Sequence, residues 1–169
     1  KLLKEHFAAL FSRQYGIETV GFRYFYIYGH HEEYKGEGAV YANLVSQFLW
    51  SMKKDKQPVV YCDGKQTRDF TYVKDVCQAN ILAMKSKKKL LGDVFNVAAG
   101  RSVSYNALVD ILNIMLGKRI KPRYTSIPVK NYIASQQVDL TKIKSAGTRA
   151  EIDYLNKEIG IVKQKLKEY

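Results

Sequence analysis

The chain is short of residues that cross-link or punctuate a fold. Two cysteines, Cys62 and Cys77, stand among 169 residues with three prolines and one tryptophan. The two cysteines have neither metal-ligand nor redox spacing, so a zinc ribbon or a disulfide scaffold is not expected, and free thiols in a reducing cytoplasm are. Long apolar runs are also missing. No stretch of ~18 apolar residues occurs and no charged-then-apolar leader opens the sequence, so neither a helical membrane span nor a signal peptide is expected. No Gly-x-Gly-x-x-Gly turn occurs either, which leaves these residues without a dinucleotide-phosphate cradle of their own.

Acidic side chains are in deficit. Sixteen Asp and Glu face 28 Lys and Arg, a net charge of +12. Such a balance invites nucleic acid, but the excess is scattered over 53–54, 85–89, 118–121 and a lysine-rich tail. These clusters fit solvated loops and helix ends, where cations suit the carboxyl terminus of a helix. With no zinc-finger or RNP signature in the chain, a phosphate-bearing small ligand is the expected partner rather than nucleic acid.

The stretch around which the chain is organised is 61–75. The Asp63-Gly64 turn hands over to a single arginine, Arg68, then to a short aromatic run and a helix with Asp75 in its first turn. One arginine fixed between a turn and a strand suits a dianionic group better than a loose basic surface does. Asp69 and Asp75 are expected to orient the arginine and to cap the helix.

Strand and helix patterns alternate along the chain. Residues 1–15 place apolar groups at helical spacing on two sides, and Gly16 closes that helix. One apolar side is expected to pack on a sheet and the other on a partner, with His6 as a packing histidine. The β-branched and aromatic run 17–28 reads as one buried strand of a parallel sheet, ended by Gly29. A polar loop with the adjacent His30 and His31 follows, and no metal site is assigned to them. Helical periods recur at 40–52, 73–84 and 105–116, the last capped by Ser104, with a weaker one at 155–166. Strands are expected at 59–61, 94–97 and 120–124, and at most a helical turn at 142–146. The class is α/β.

Three segments in this order carry a family likeness: Arg23-Tyr24-Phe25-Tyr26-Ile27-Tyr28-Gly29, then Gly64-Lys65-Gln66-Thr67-Arg68-Asp69-Phe70-Thr71-Tyr72-Val73-Lys74-Asp75, then Phe95-Asn96-Val97-Ala98-Ala99-Gly100. They resemble the C-terminal half of the extended short-chain dehydrogenases, the NAD-dependent nucleotide-sugar epimerases and dehydratases typified by UDP-glucose 4-epimerase. The likeness implies the end of a doubly wound, Rossmann-like parallel sheet (1–30) and a smaller α/β lobe (31–169). That lobe would bind a nucleoside-diphosphate sugar, UDP-linked, and return some strands to the sheet. Lys1 and Glu5 have the spacing of the family's catalytic lysine and the glutamate after it, so the chain resembles the enzyme severed inside its Tyr-x-x-x-Lys motif.

In the family a tyrosinate takes a proton from a sugar hydroxyl while hydride passes from that carbon to NAD⁺, and the lysine ammonium lowers the phenol's pKa. The resemblance therefore implies NAD as cofactor, Lys1 as catalytic and nicotinamide-ribose residue, and Phe25 beside the nicotinamide. It implies Asn43 and Leu44 at the substrate diphosphate or uridine, and Val59, Val60 and Tyr61 along the nucleotide base. Arg68 would clamp the diphosphate. Tyr26 stands where the family carries an asparagine that donates to the phosphates. Val129-Lys130-Asn131-Tyr132 replaces an arginine-bearing segment, with Lys130 as the point charge; Ala98 replaces a glycine. An epimerase is the leading reading, a dehydratase or a nucleotide-binding fragment without turnover the alternatives. A cytoplasmic homodimer formed through the first helix completes the expectation.

Overall fold

The computed structural model describes residues 1–29, 32, 42–127 and 132–146. The loop at 30–38, Lys130 and the expected terminal helix at 155–166 fall wholly or mostly outside the described residues. In chain order the elements are α1 (Leu2–Tyr15), β1 (Val20–Tyr24), β2 (Ile27–Tyr28), α2 (Leu44–Lys53), β3 (Val59–Tyr61), β4 (Thr67–Asp69), β5 (Thr71–Tyr72), α3 (Val73–Lys85), β6 (Asp93–Val97), β7 (Ser102–Ser104), α4 (Tyr105–Leu116), β8 (Arg123–Thr125) and α5 (Thr141–Ala146).

Gly16 closes α1 in the left-handed conformation, φ 67°, and the chain doubles back as β1. Two ties align the pair: the Ser12 and Thr19 hydroxyls hydrogen-bond to each other, and Arg23 donates from Nε (2.9 Å) and Nη2 (2.6 Å) to the Glu5 carboxylate. The first turn of α1 therefore lies beside the carboxyl end of β1. Small residues make the contact. A Cβ on Gly92, at φ 73°, would lie 2.7 Å from the Ala9 Cα.

That contact corrects the expectation for α1. Its large apolar residues do not pack on the sheet; Leu2, Leu3, Phe7, Leu10, Phe11 and Tyr15 are 46–65% exposed, His6 is exposed, and Ser12 is the buried residue. The narrow Ala-Ser side lets the helix backbone approach the sheet more closely than a phenylalanine would.

The run 17–28 is likewise two strands, not one. Tyr26, with a positive φ of 36°, breaks it, and the chain changes partner there. β1 pairs in parallel with β6, from Val20 opposite Asp93 to Tyr24 opposite Val97, whereas β2 pairs in parallel with β5. Tyr24 is largely exposed rather than buried. A parallel sheet opens a crevice at the carboxyl ends of strands where neighbours diverge, and this break lies at such an end.

The main core is built from α2 and α4 over β3 and β8, which are parallel. Met52, Val60 and Leu112 are completely enclosed, with Phe48, Tyr105, Leu108 and Val109 around them. A smaller cluster joins Val76 and Ala79 of α3 to Val97 of β6, with Phe22, Ile27 and Ile143 at its margin. Lys118 donates from Nζ to the carbonyls of Met52 and Lys53, placing a cation at the carboxyl end of α2. One ladder was not expected from the sequence: β4 runs antiparallel to β7, with Arg68 opposite Val103. Arg68 thus sits inside a strand, not ahead of one, and the expected strand at 120–124 is the shorter β8, which starts at Arg123 and ends at Thr125.

Candidate functional site

Arg68 is buried, with 3% of its surface exposed. Its Nε donates to the Tyr26 hydroxyl at 2.7 Å and its Nη1 to the Thr67 carbonyl at 2.7 Å. The guanidinium carbon lies 5.3 Å from the ring centre of Tyr26, 5.6 Å from that of Tyr105 and 5.0 Å from that of Tyr132. Three electron-rich faces replace part of the hydration that burial removes. No carboxylate among the described residues pairs with Arg68. Asp63 bonds Lys65, and Asp69 turns its oxygens the other way, to the amides of Ala99 (2.9 Å) and Gly100 (3.0 Å). A guanidinium has five N–H donors, and two are used here. A buried cation with donors to spare and no counter-ion favours an incoming anion.

The finding on Asp69 corrects the sequence expectation that it orients the arginine. Its carboxylate instead ties β4 to the turn after β6, and burial pushes its pKa up against the lowering effect of those amide bonds. Asp75 does lie in the first turn of α3, as expected.

The loop from Tyr61 to Arg68 is held from two sides. Gln66 donates from Nε2 to the Tyr61 carbonyl at 2.7 Å, and the Tyr105 amide donates to the Gln66 carbonyl at 3.1 Å. Asn106 latches the turn: its backbone N–H reaches the Gly64 carbonyl (3.1 Å), its Nδ2 the Asp63 carbonyl (2.9 Å), and its Oδ1 accepts from the Tyr124 hydroxyl (3.1 Å). Gly64 has φ 70° and no room for a side chain, since a Cβ would fall 1.9 Å from Asn106 Oδ1. On the far side the Thr67 amide donates to the Ala134 carbonyl at 3.0 Å, which fastens the segment carrying Tyr132 beside β4.

The other expected site residues are distributed as follows. Lys1 is exposed at the N-cap of α1, and Phe25 is half-buried just past the end of β1, its amide donating to the Val97 carbonyl at 3.3 Å. Asn43 caps α2, its Oδ1 accepting from the Val45 amide at 3.0 Å. The Asn43 amide donates to Glu32 at 3.1 Å and the Ser46 hydroxyl donates to the same carboxylate, so an internal anion already serves this helix end. Leu44 packs on the main core, Val60 is enclosed within it, Val59 faces outward and Tyr61 is half-buried. Of these residues the structure brings Tyr26 and Arg68 into direct contact, from the break before β2 and from β4. Lys130 is outside the described residues.

Sequence reasoning missed Tyr105, Tyr132, Asn106 and Glu32. Tyr105 reads as an apolar first-turn residue, and only the pairing of Arg68 with Val103 reveals that it faces the arginine. Among the described residues no group of three or more His, Cys, Asp and Glu is arranged for a metal ion, and no helix is long and apolar enough to cross a membrane.

Parallel strand pairs with helices packed on them define an α/β protein of the Rossmann-like class, and a buried arginine without a carboxylate partner among the described residues stands within it. The sequence model of the NAD dependent epimerase/dehydratase family matches residues 1–98, and the chain belongs to that family. It is 35% identical over 153 residues to a Methanocaldococcus jannaschii protein named "Putative UDP-glucose 4-epimerase", covering 90% of this chain and 47% of that one. Among solved structures it is similar to the UDP-N-acetylglucosamine 4-epimerase of Methanobrevibacter ruminantium in complex with UDP-N-acetylmuramic acid. There the TM-score is 0.79 at 29% identity, over 97% of this chain and 48% of that one. It is also similar to the Thermotoga maritima UDP-glucose 4-epimerase with UDP-glucose, with a TM-score of 0.73 at 29% identity over 94% of this chain and 52% of that one. The chain spans about half the length of these relatives.

Proposed function

We propose that this chain is the substrate-side portion of an NAD-dependent nucleotide-sugar epimerase acting on a UDP-linked sugar. The observation that carries the proposal is the Arg68 guanidinium, buried, free of carboxylates among the described residues, and with donors to spare. A diphosphate presents paired anionic oxygens that match this fork. Similarity to epimerases solved with UDP-sugars supports the substrate class.

Residues 1–30 belong in this reading to the cofactor lobe and 31–169 mainly to the substrate lobe, with β6 and α3 returning to the sheet. The separation of the two apolar clusters supports that division. The chain's own fit to NAD is partial: its sequence has no Gly-x-Gly-x-x-Gly turn, and the groups available are Lys1 and Phe25. The Glu5–Arg23 pair keeps the start of α1 beside the carboxyl end of β1, which brings both residues to the same end of the sheet. Bound there, NAD would accept a hydride from the sugar and return it to the other face. Lys1 would hold the nicotinamide ribose and stabilise the phenolate of the family's tyrosine base, and Phe25 would line the ring. Tyr61 would stack on the base beside Val59 and the Val60 backbone, while Asn43 and Leu44 would border the nucleotide.

The exposed apolar residues of α1, with Ile81 and Met84 of α3, support a homodimer through these helices. Cys62 and Cys77, both free and exposed, agree with a cytoplasmic setting. The test is calorimetric titration of UDP into the protein at its natural length. Arg68→Ala is expected to weaken binding by roughly a hundredfold, as for the loss of two charge-assisted hydrogen bonds. An unchanged affinity would remove the arginine from this role.

A further inference from the structure

The three tyrosines around Arg68 do more than cover it. Each has a hydroxyl whose bonding direction can be worked out. The Tyr26 oxygen accepts the Arg68 Nε–H at 2.7 Å, so its own proton is left to point away from the arginine. Tyr26 is 39% exposed, which gives that proton access to a ligand. Tyr105 is 5% exposed and its hydroxyl lies 2.8 Å from that of Tyr132. A buried phenol needs an acceptor for its proton, and among the described residues the Tyr132 oxygen is the one bonded to it, so Tyr105 donates and Tyr132 accepts. Tyr132 is only half-buried, and its proton is then the free one. Burial and this hydrogen bond push the Tyr105 pKa up, which keeps that phenol protonated.

Two phenols with a free proton thus flank a guanidinium with three spare N–H groups, and among the described residues no carboxylate pairs with it. We propose that Tyr26 and Tyr132 donate their hydroxyl protons to the ligand alongside Arg68, and that this collar selects a diphosphate over a monophosphate. Tyr105 is the positioning residue that turns the Tyr132 hydroxyl outward. The inference rests on the diphosphate reading of Arg68 given above. Its reason is a matter of geometry and count. The guanidinium fork takes two oxygens of one phosphate, and the hydroxyls outside the fork then find oxygens only if a second phosphate is attached.

The experiment is titration of UDP and of UMP into the protein at its natural length, as the parent, Arg68→Ala, Tyr26→Phe, Tyr132→Phe and Tyr105→Phe. The phenylalanines keep the rings over the guanidinium, and thermal melts check that each variant is folded. Tyr26→Phe and Tyr132→Phe are each expected to weaken UDP about tenfold and UMP about twofold or less, narrowing the preference for the diphosphate. Tyr105→Phe is expected to change the same ratio by a smaller factor. If Arg68→Ala leaves UDP affinity unchanged, the diphosphate reading falls and takes the collar with it. If Arg68→Ala weakens UDP while Tyr26→Phe and Tyr132→Phe leave the UDP-to-UMP ratio as in the parent, the collar proposal is overturned and the reading of Arg68 stands. Equal losses for both nucleotides also overturn it, because a purely structural role would act on both. Should one of the two variants fail to fold, the other decides the question by the same ratio.

Discussion

Replacing Gly64 with alanine would put a methyl carbon 1.9 Å from Asn106 Oδ1, in a backbone conformation with φ 70°. Two costs follow. The left-handed conformation itself costs an alanine about 1–2 kcal/mol. The Asn106 side chain must also swing away, giving up its bonds to the Asp63 carbonyl and the Tyr124 hydroxyl. At about 0.5–1.5 kcal/mol for each bond, that adds about 1–3 kcal/mol. Gly64→Ala is therefore expected to destabilise by about 2–5 kcal/mol, and Asn106→Ala by about 1–3 kcal/mol. In the double variant the two hydrogen bonds are lost only once, so its stability should match that of Gly64→Ala alone. The assay is urea unfolding of the four proteins as a double-mutant cycle, with an expected coupling of about 1–3 kcal/mol. Additive losses, with coupling below about 0.5 kcal/mol, would refute the latch. Since the same turn joins Tyr61 to Arg68, Gly64→Ala should also weaken UDP binding.

Three further outcomes are expected. Asp69→Ala strips the acceptor from two backbone amides and should destabilise by about 3 kcal/mol in denaturant unfolding. The raised pKa of Asp69 means that the folded state binds its proton more readily than the unfolded chain does. Acidification from above the raised value toward the ordinary carboxylate pKa of 3.8 should favour the fold through this group, and Asp69→Asn should abolish that slope. Glu5 behaves in the opposite sense. Its hydrogen bond from Arg23 lowers its pKa below 4.5, so its stabilising contribution is present above that value and lost as pH falls through the folded pKa. NMR titration of the Glu5 carboxyl should report the lowered value and its upward return in Arg23→Gln.

Much of the chain was legible in residues that lie close together in sequence. Helix ends depend on groups within one turn, so Gly16, Ser104 and Gly117 could be recognised as caps from their positions, and all three act as such. The alternation of helical and β-branched runs sufficed for the α/β class, and the three motif segments sufficed for the family. The sequence singled out the arginine at the centre of the second motif as the expected anion ligand because a lone, positioned guanidinium has few other uses.

What the sequence did not reveal depends on register and on contacts across long separations. Arg68 meets Tyr26 42 residues away, and Asp69 meets Ala99 30 residues away. No local pattern states which way a side chain on a two- or three-residue strand will face, since shifting the register by one residue reverses it. The antiparallel pairing of β4 with β7 decided that Tyr105 looks at the arginine and that Asp69 does not. The exposed apolar side of α1 was decided in the same way: hydrophobic periodicity marks which residues avoid water, whereas the close approaches are made by small residues, Ala9 at Gly92 ahead of β6 and Ser12 at Thr19 ahead of β1. The sequence by itself determined the helices, the α/β alternation and the single charge of Arg68. Packing between distant segments determined what surrounds that charge, because burial and hydrogen-bond direction exist only once those segments have met.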